Sequence, residues 1–309
     1  RLRILVRERP SVKDYSFKGN AVVDDDDLAE LVAKELKIGS IVNQPALRRA
    51  ARGASGVAAD ATASVNCADD LLNFQTTDDT RVGAAWAGLV HDGSQYVSVA
   101  NSAAGNQVMT SPDGIAWTPR AAAAANGWTD LAYGDGVLAA VSLDGTNRVM
   151  RSTDGISWTS HSAAEANIWL SVTHGNGLFV AVSTTGLTRV MTSPDGITWT
   201  GRGAASPNQW ASVAYGNGTF VAGSSDGAGL TRVMTSTNGT GWTIRSAAEP
   251  NNWLYVTYGD GLFVAVASSG TNRVMTSPDG ITWTARAAAE ANQWRGVGYG
   301  DGLYVAVDL

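Results

Sequence analysis

Across 309 residues the chain carries 22 Lys+Arg against 28 Asp+Glu, a formal net charge of −6, and no lysine follows Lys37. This mildly acidic balance argues against nucleic acid and against an anionic membrane surface as partners. The single Cys67 excludes an intrachain disulfide framework, and no apolar run is long enough to span a bilayer, so no membrane insertion is expected.

In chain order, RLRILVRE (1–8) alternates arginine with aliphatics and predicts an amphipathic strand. Asp24 to Asp27 then precede LAELVAKELK (28–37). Acids there favour the positive end of a helix dipole. Leu28, Leu31, Val32 and Leu36 lay a narrow apolar stripe along that helix, and Gly39 can end it. One strand and one short helix cannot bury a core by themselves. Residues 1–45 are therefore predicted to be a small α+β anchor that docks on other structural proteins through Leu28, Leu31, Val32 and Leu36. A solvated helix in a truncated domain is the plain alternative. Residues 46–70 are rich in Ala, Gly and Ser and read as a linker. The chain begins at Arg1 rather than Met, so the lack of a leader peptide says nothing about compartment.

Residues 71–309 are predicted to be all-β. Tryptophans recur at Trp86, Trp128, Trp169, Trp210, Trp253 and Trp294, 41 to 43 residues apart, and a second series runs in step at Trp117, Trp158, Trp199, Trp242 and Trp283. A period in the low forties marks four-stranded propeller blades. The unit opening at Trp169 reads WLSVTH, then Gly-Asn-Gly, then LFVAVS, a polar loop, TRVMTS, Ser-Pro-Asp-Gly and ITWT. The runs are β-branched or aromatic and partly alternating, as strands are. Gly-Asn-Gly and Gly-Asp-Gly supply the positive φ of tight hairpins. Five units are complete (86–127, 128–168, 169–209, 210–252, 253–293) and a half unit, 294–309, supplies two strands. An open propeller leaves exposed sheet edges. The expectation is six blades, the last completed by Leu72 to Gly83; five blades with a trailing half blade is the alternative.

The turn Ser-Pro-Asp-Gly-x-x-Trp-Thr resembles the Asp-box of sialidase-type propellers, shortened by one residue. It stands at Ser111 to Gly114, Ser152 to Gly155, Ser193 to Gly196, Ser236 to Gly239 (with Asn238 for the acid) and Ser277 to Gly280. In that family the box is a hairpin turn remote from catalysis, so the resemblance implies a propeller and says little about activity. The whole unit is also similar to repeats in phage virion and tail proteins and in bacterial surface proteins.

A sialidase-like hydrolase is the enzyme alternative, because that resemblance implies an arginine cluster. Arg148, Arg189, Arg232 and Arg273 instead occupy one place in successive units, which spreads them in a ring. His91, His161 and His174 lack ligand spacing, and no metal or other cofactor is expected. Small loops carry Asn two residues before five tryptophans of the first series: Asn126 with Trp128, Asn167 with Trp169, Asn208 with Trp210, Asn251 with Trp253 and Asn292 with Trp294. A ring that stacks on a sugar beside an amide that takes hydroxyls makes these the candidate ligand sites, with surface glycans as ligand. Alternatively the rings pack between blades and the amides cap turns. The expectation is a non-enzymatic module, present in several copies, on a virion or an extracellular surface. A pure scaffold with no ligand is the remaining possibility.

Overall fold

The computed structural model describes residues 85–102, 106–300 and 302–308, and the backbone of two further strands, Val12–Lys18 and Thr62–Cys67. These two strands pair antiparallel, in a compact unit separate from the propeller. Thr62–Cys67 falls inside the stretch expected to be a linker. Its β-branched Thr62 and Val65 suit a strand, a signal diluted by the Ala and Gly around them. The strand at 1–8, the helix from Leu28 with Leu31, Val32 and Leu36, and the pairing of Leu72 to Gly83 lie outside the described residues.

From Trp86 onward the described chain is all β, in six successive antiparallel sheets, five of four strands and a sixth of two. Blade 3 is representative. Trp169–Gly175 pairs with Leu178–Ser183, which pairs with Val190–Ser193, which pairs with Thr200–Arg202. Gly175 faces Leu178, leaving Asn176 and Gly177 as a two-residue loop with φ of 51° and 69°. Two consecutive positive φ values define the hairpin turn whose twist matches the strands, and Asn, Asp and Gly tolerate it. Asp135, Asn217 and Asp260 take the same conformation in blades 2, 4 and 5, so acid and amide interchange as turn residues.

The cores lie between blades. Phe179 and Ala181 of blade 3 join Ala139, Val141 and Val149 of blade 2 in one cluster. Val180 and Val182, on the opposite face, join Trp210 and Phe220 of blade 4 in another. Strand alternation therefore feeds two cores at once, which is why LFVAVS is almost wholly apolar. Further clusters join blades 1 and 2, blades 4 and 5, and blades 5 and 6.

A ring-on-glycine contact locks neighbouring inner strands together. A Cβ built on Gly175 would lie 2.1 Å from the Tyr215 ring, and one on Gly216 would lie 2.0 Å from the Tyr258 ring. Gly134 and Gly259 meet His174 and Tyr299 in the same way. The succession stops at blade 6, where no described residue lies within 4 Å of a Cβ on Gly300. Its second strand, Leu303–Asp308, is half-buried throughout, whereas the matching Leu178–Ser183 is buried after its first residue. Among the described residues, the two strands of blade 6 thus repeat the first two strands of the other blades with less burial.

Candidate functional site

The repeated polar residues serve the scaffold. Trp128, Trp169, Trp210 and Trp253 are 0% exposed, and each indole Nε1 donates to the carbonyl four residues earlier. Asn126, Asn167, Asn208 and Asn251 are buried beside them, and each Nδ2 donates to a backbone carbonyl across its loop at 2.6 to 2.7 Å. The expectation that these pairs bind sugars is therefore corrected at four of the five: a buried ring has no face to offer, and a carbonyl occupies the amide. Asn292 and Trp294 are half-exposed, and Asn292 Nδ2 donates to Glu290 at 3.2 Å.

The arginine ring is also accounted for. Arg148, Arg189 and Arg232 each donate through Nη1 to the main-chain oxygen of the asparagine in the loop leading into the next blade, at 2.7, 2.8 and 3.3 Å. Arg273 does the same to Asn292 at 2.8 Å. These are cross-blade staples, and Gln107 fills the role in blade 1 by donating to the Asn126 carbonyl.

In the Ser-x-Asp-Gly turn, Asp195 Oδ1 accepts Ile197 N–H at 2.8 Å and Thr198 N–H at 3.1 Å, while Ser193 Oγ accepts Gly196 N–H at 2.9 Å. Those backbone bonds hold the Asp195 carboxyl below its ordinary value, as they do for Asp154 and Asp113. Asn238 makes the same two bonds, both at 3.0 Å, so a neutral oxygen also keeps the turn's geometry. Asp195→Ala should cost about 0.5–2 kcal/mol in denaturant unfolding, and Asp195→Asn distinctly less, since the amide oxygen keeps both bonds and only the charge is lost. Equal losses from both variants would contradict the assignment.

What remains is the axis. The inner strands of blades 1 to 5 surround a cavity of about 250 Å³, whose wall includes Asp130, Tyr255, His174, Tyr215 and Tyr258. The position two after each inner tryptophan reads Gly88, Asp130, Ser171, Ser212, Tyr255 and Gly296. At this column the copies differ in chemistry: a carboxylate, two hydroxyls, a phenol and two glycines. Asp130 Oδ2 accepts Ser171 Oγ–H at 2.8 Å and Val172 N–H at 3.0 Å, and Oδ1 accepts Leu131 N–H at 2.9 Å. Ser171 Oγ accepts Val213 N–H at 3.2 Å, and Ser212 Oγ accepts Val256 N–H at 3.1 Å. Sequence reasoning did not single out this column. The signal was present in the blade alignment, at a single column with no motif around it.

Burial pushes the Asp130 carboxyl up to about 6, against the pull of its hydrogen bonds from Val172, Ser171 and Leu131. The unfolded chain releases that proton near 3.8, so between these values the folded state holds more protons. Stability contributed by Asp130 should therefore fall as pH rises from about 4 to about 6, by on the order of 3 kcal/mol. The turn aspartates act in the opposite sense, and their contribution is lost as pH falls below 3.8. Urea unfolding from pH 3 to 8 should show the falling limb in the parent and a flat one in Asp130→Ser. His174, Tyr133, Tyr215, Tyr255 and Tyr258 also face the cavity, and both proteins share them. A parent curve without that limb would mean that Asp130 is solvated.

Packed inter-blade cores, stapled loops and a polar axial cavity together define a repeat β-propeller. No protein-family model and no curated protein matches the chain. Among solved structures it is similar to YCF48 bound to D1 peptide, at 14% identity over 70% of this chain and 72% of that one, TM-score 0.52. It is similar to the computationally designed Ika8 protein, at 14% identity over 72% and 67%, TM-score 0.53. It is also similar to a catalytically inactive virginiamycin B lyase from Staphylococcus aureus with quinupristin, at 13% identity over 71% and 75%, TM-score 0.60. At such identity the likeness is one of fold.

Proposed function

We propose that the chain is a non-enzymatic binding and assembly module, present in several copies on a virus particle or cell surface. Residues 1–45 hold it to other structural proteins, through Leu28, Leu31, Val32 and Leu36, and the propeller meets a protein partner. The observation that carries this is the division of the chain into two compact units, one of them a propeller whose inter-blade cores are built from its own strands. A head and a separate holdfast is the organisation an appendage requires. YCF48, a propeller of related architecture, was solved with a peptide bound, which favours a protein partner. A glycan-binding role loses four of its five candidate rings to burial, leaving only Trp294. A sialidase-like hydrolase also loses support, since the arginines it would need donate to backbone carbonyls.

The test replaces Leu31 and Val32 by Asp in the full chain. Covering an aliphatic side chain contributes about 1.5–3 kcal/mol, so two such charges should release the protein from its particle or surface fraction. Circular dichroism should show the propeller intact. Normal incorporation of the double variant would refute the anchor, and turnover of a glycan by the parent would refute the non-enzymatic assignment.

A further inference from the structure

Asp130 does two things, and the fold needs only one of them. Its Oδ2 accepts Val172 N–H, which ties blade 2 to blade 3. Ser171 and Ser212 make the corresponding ties from blades 3 and 4 with a hydroxyl. A neutral side chain therefore suffices for the packing, and the carboxylate brings a charge that the packing does not use. That charge is 7% exposed, and its three donors, Leu131 N, Ser171 Oγ and Val172 N, are all neutral. A buried charge without a counter-ion is costly, so a site that keeps one gains by binding a cation.

The rest of the cavity suits such a cation. Tyr133, Tyr215, Tyr255 and Tyr258 contribute to its wall. Tyrosine rings attract an ammonium through their negative faces, more strongly where water is excluded. The Asp130 charge and burial raise the Tyr255 hydroxyl's pKa, so that ring stays neutral. His174, the cation-forming side chain in the wall, has its Nε2 3.3 Å from Asp135 in the turn. The propeller sequence contains no lysine to fill the space. At about 250 Å³ the cavity is below the ~300–1,000 Å³ of sites for drug-sized ligands, and matches an extended side chain or a small amine.

We propose that the axial cavity binds an alkylammonium group, the end of a lysine side chain or a small free amine, with Asp130 as its counter-ion and tyrosine rings as its wall. The proposal does not depend on where the protein is displayed.

The full chain is titrated calorimetrically with n-butylammonium chloride at pH 7.5 and constant ionic strength. Saturable binding is expected, about tenfold or more tighter than that of n-butanol or potassium ion. Asp130→Ser, which installs the residue found in blades 3 and 4, should weaken it by about tenfold or more while the unfolding temperature at pH 7.5 does not fall. Asp130→Asn, which keeps the shape without the charge, provides the same comparison should the serine variant fold poorly. A second arm uses Nα-acetyl-lysine amide. Tighter binding than butylammonium would point to a partner's lysine and equal binding to a free amine, and either outcome supports the site. No saturable binding to the parent, unchanged binding to both variants, or potassium competing as well as butylammonium would overturn it.

Discussion

Trp210→Ala is expected to lose about 3–5 kcal/mol of stability, because an aromatic is removed from a fully packed position. Trp210 is 0% exposed and sits in the core between blades 3 and 4, among Val180, Val182, Val190, Phe220 and Met234. Its Nε1 also donates to Ser206 O at 3.1 Å, so the loop entering blade 4 loses its pin. The cavity left by an indole cannot close easily, since the lining side chains are held by two sheets at once. Trp294→Ala removes the same residue from the same place in blade 6, where the ring is half-exposed, and should cost distinctly less. Chemical denaturation of both variants checks the contrast. Equal losses would mean that blade 6 is as well covered as blade 4. A stable Trp210→Ala protein that failed to bind its partner would restore the ligand-binding role that burial argues against.

The contrast also marks what could be read in the sequence. The blade was legible because its turns need particular residues: Asn176-Gly177 and its counterparts take two positive φ values, and few residues do that. The cores were legible in the nearly unbroken apolar run LFVAVS, the pattern of a strand buried on both faces. The role of each repeated tryptophan and asparagine was not, because an aromatic beside an amide has the same letters whether it stacks on a sugar or seals a blade. Repetition favours the seal, since every blade interface needs one. The axial site was hidden for the converse reason. Asp130 and Tyr255 belong to no motif, and they stand out only as departures from Ser171 and Ser212 once the blades are superposed on one another. The strand Thr62–Cys67 was missed because it pairs with Val12–Lys18 across some forty intervening residues, and no local pattern announces a long-range pairing.

Gly216→Ala should be among the most damaging single-methyl changes in the propeller. The added Cβ would stand 2.0 Å from Tyr258 Cγ and 2.3 Å from both Cδ atoms, so the ring must leave its place. The ring is not free to do so, because it packs on Phe263 at 4.7 Å between centroids and borders the core between blades 4 and 5. Forcing an extra methyl into such a contact costs about 1–3 kcal/mol, and more if the inner strands separate. Two comparisons isolate the cause. In a Tyr258→Ala background the same change should be nearly neutral, giving a coupling of about 1–3 kcal/mol between the two sites. Gly300→Ala, at the matching position of blade 6, should be neutral or slightly stabilising, since no described residue lies within 4 Å of its Cβ and alanine loses less entropy on folding. Thermal and urea unfolding of the four variants measures all of this. Should Gly300→Ala prove as costly as Gly216→Ala, a ring must cover Gly300 in solution. His91 holds the corresponding place in blade 1, so that result would mean that blade 1 closes directly on blade 6.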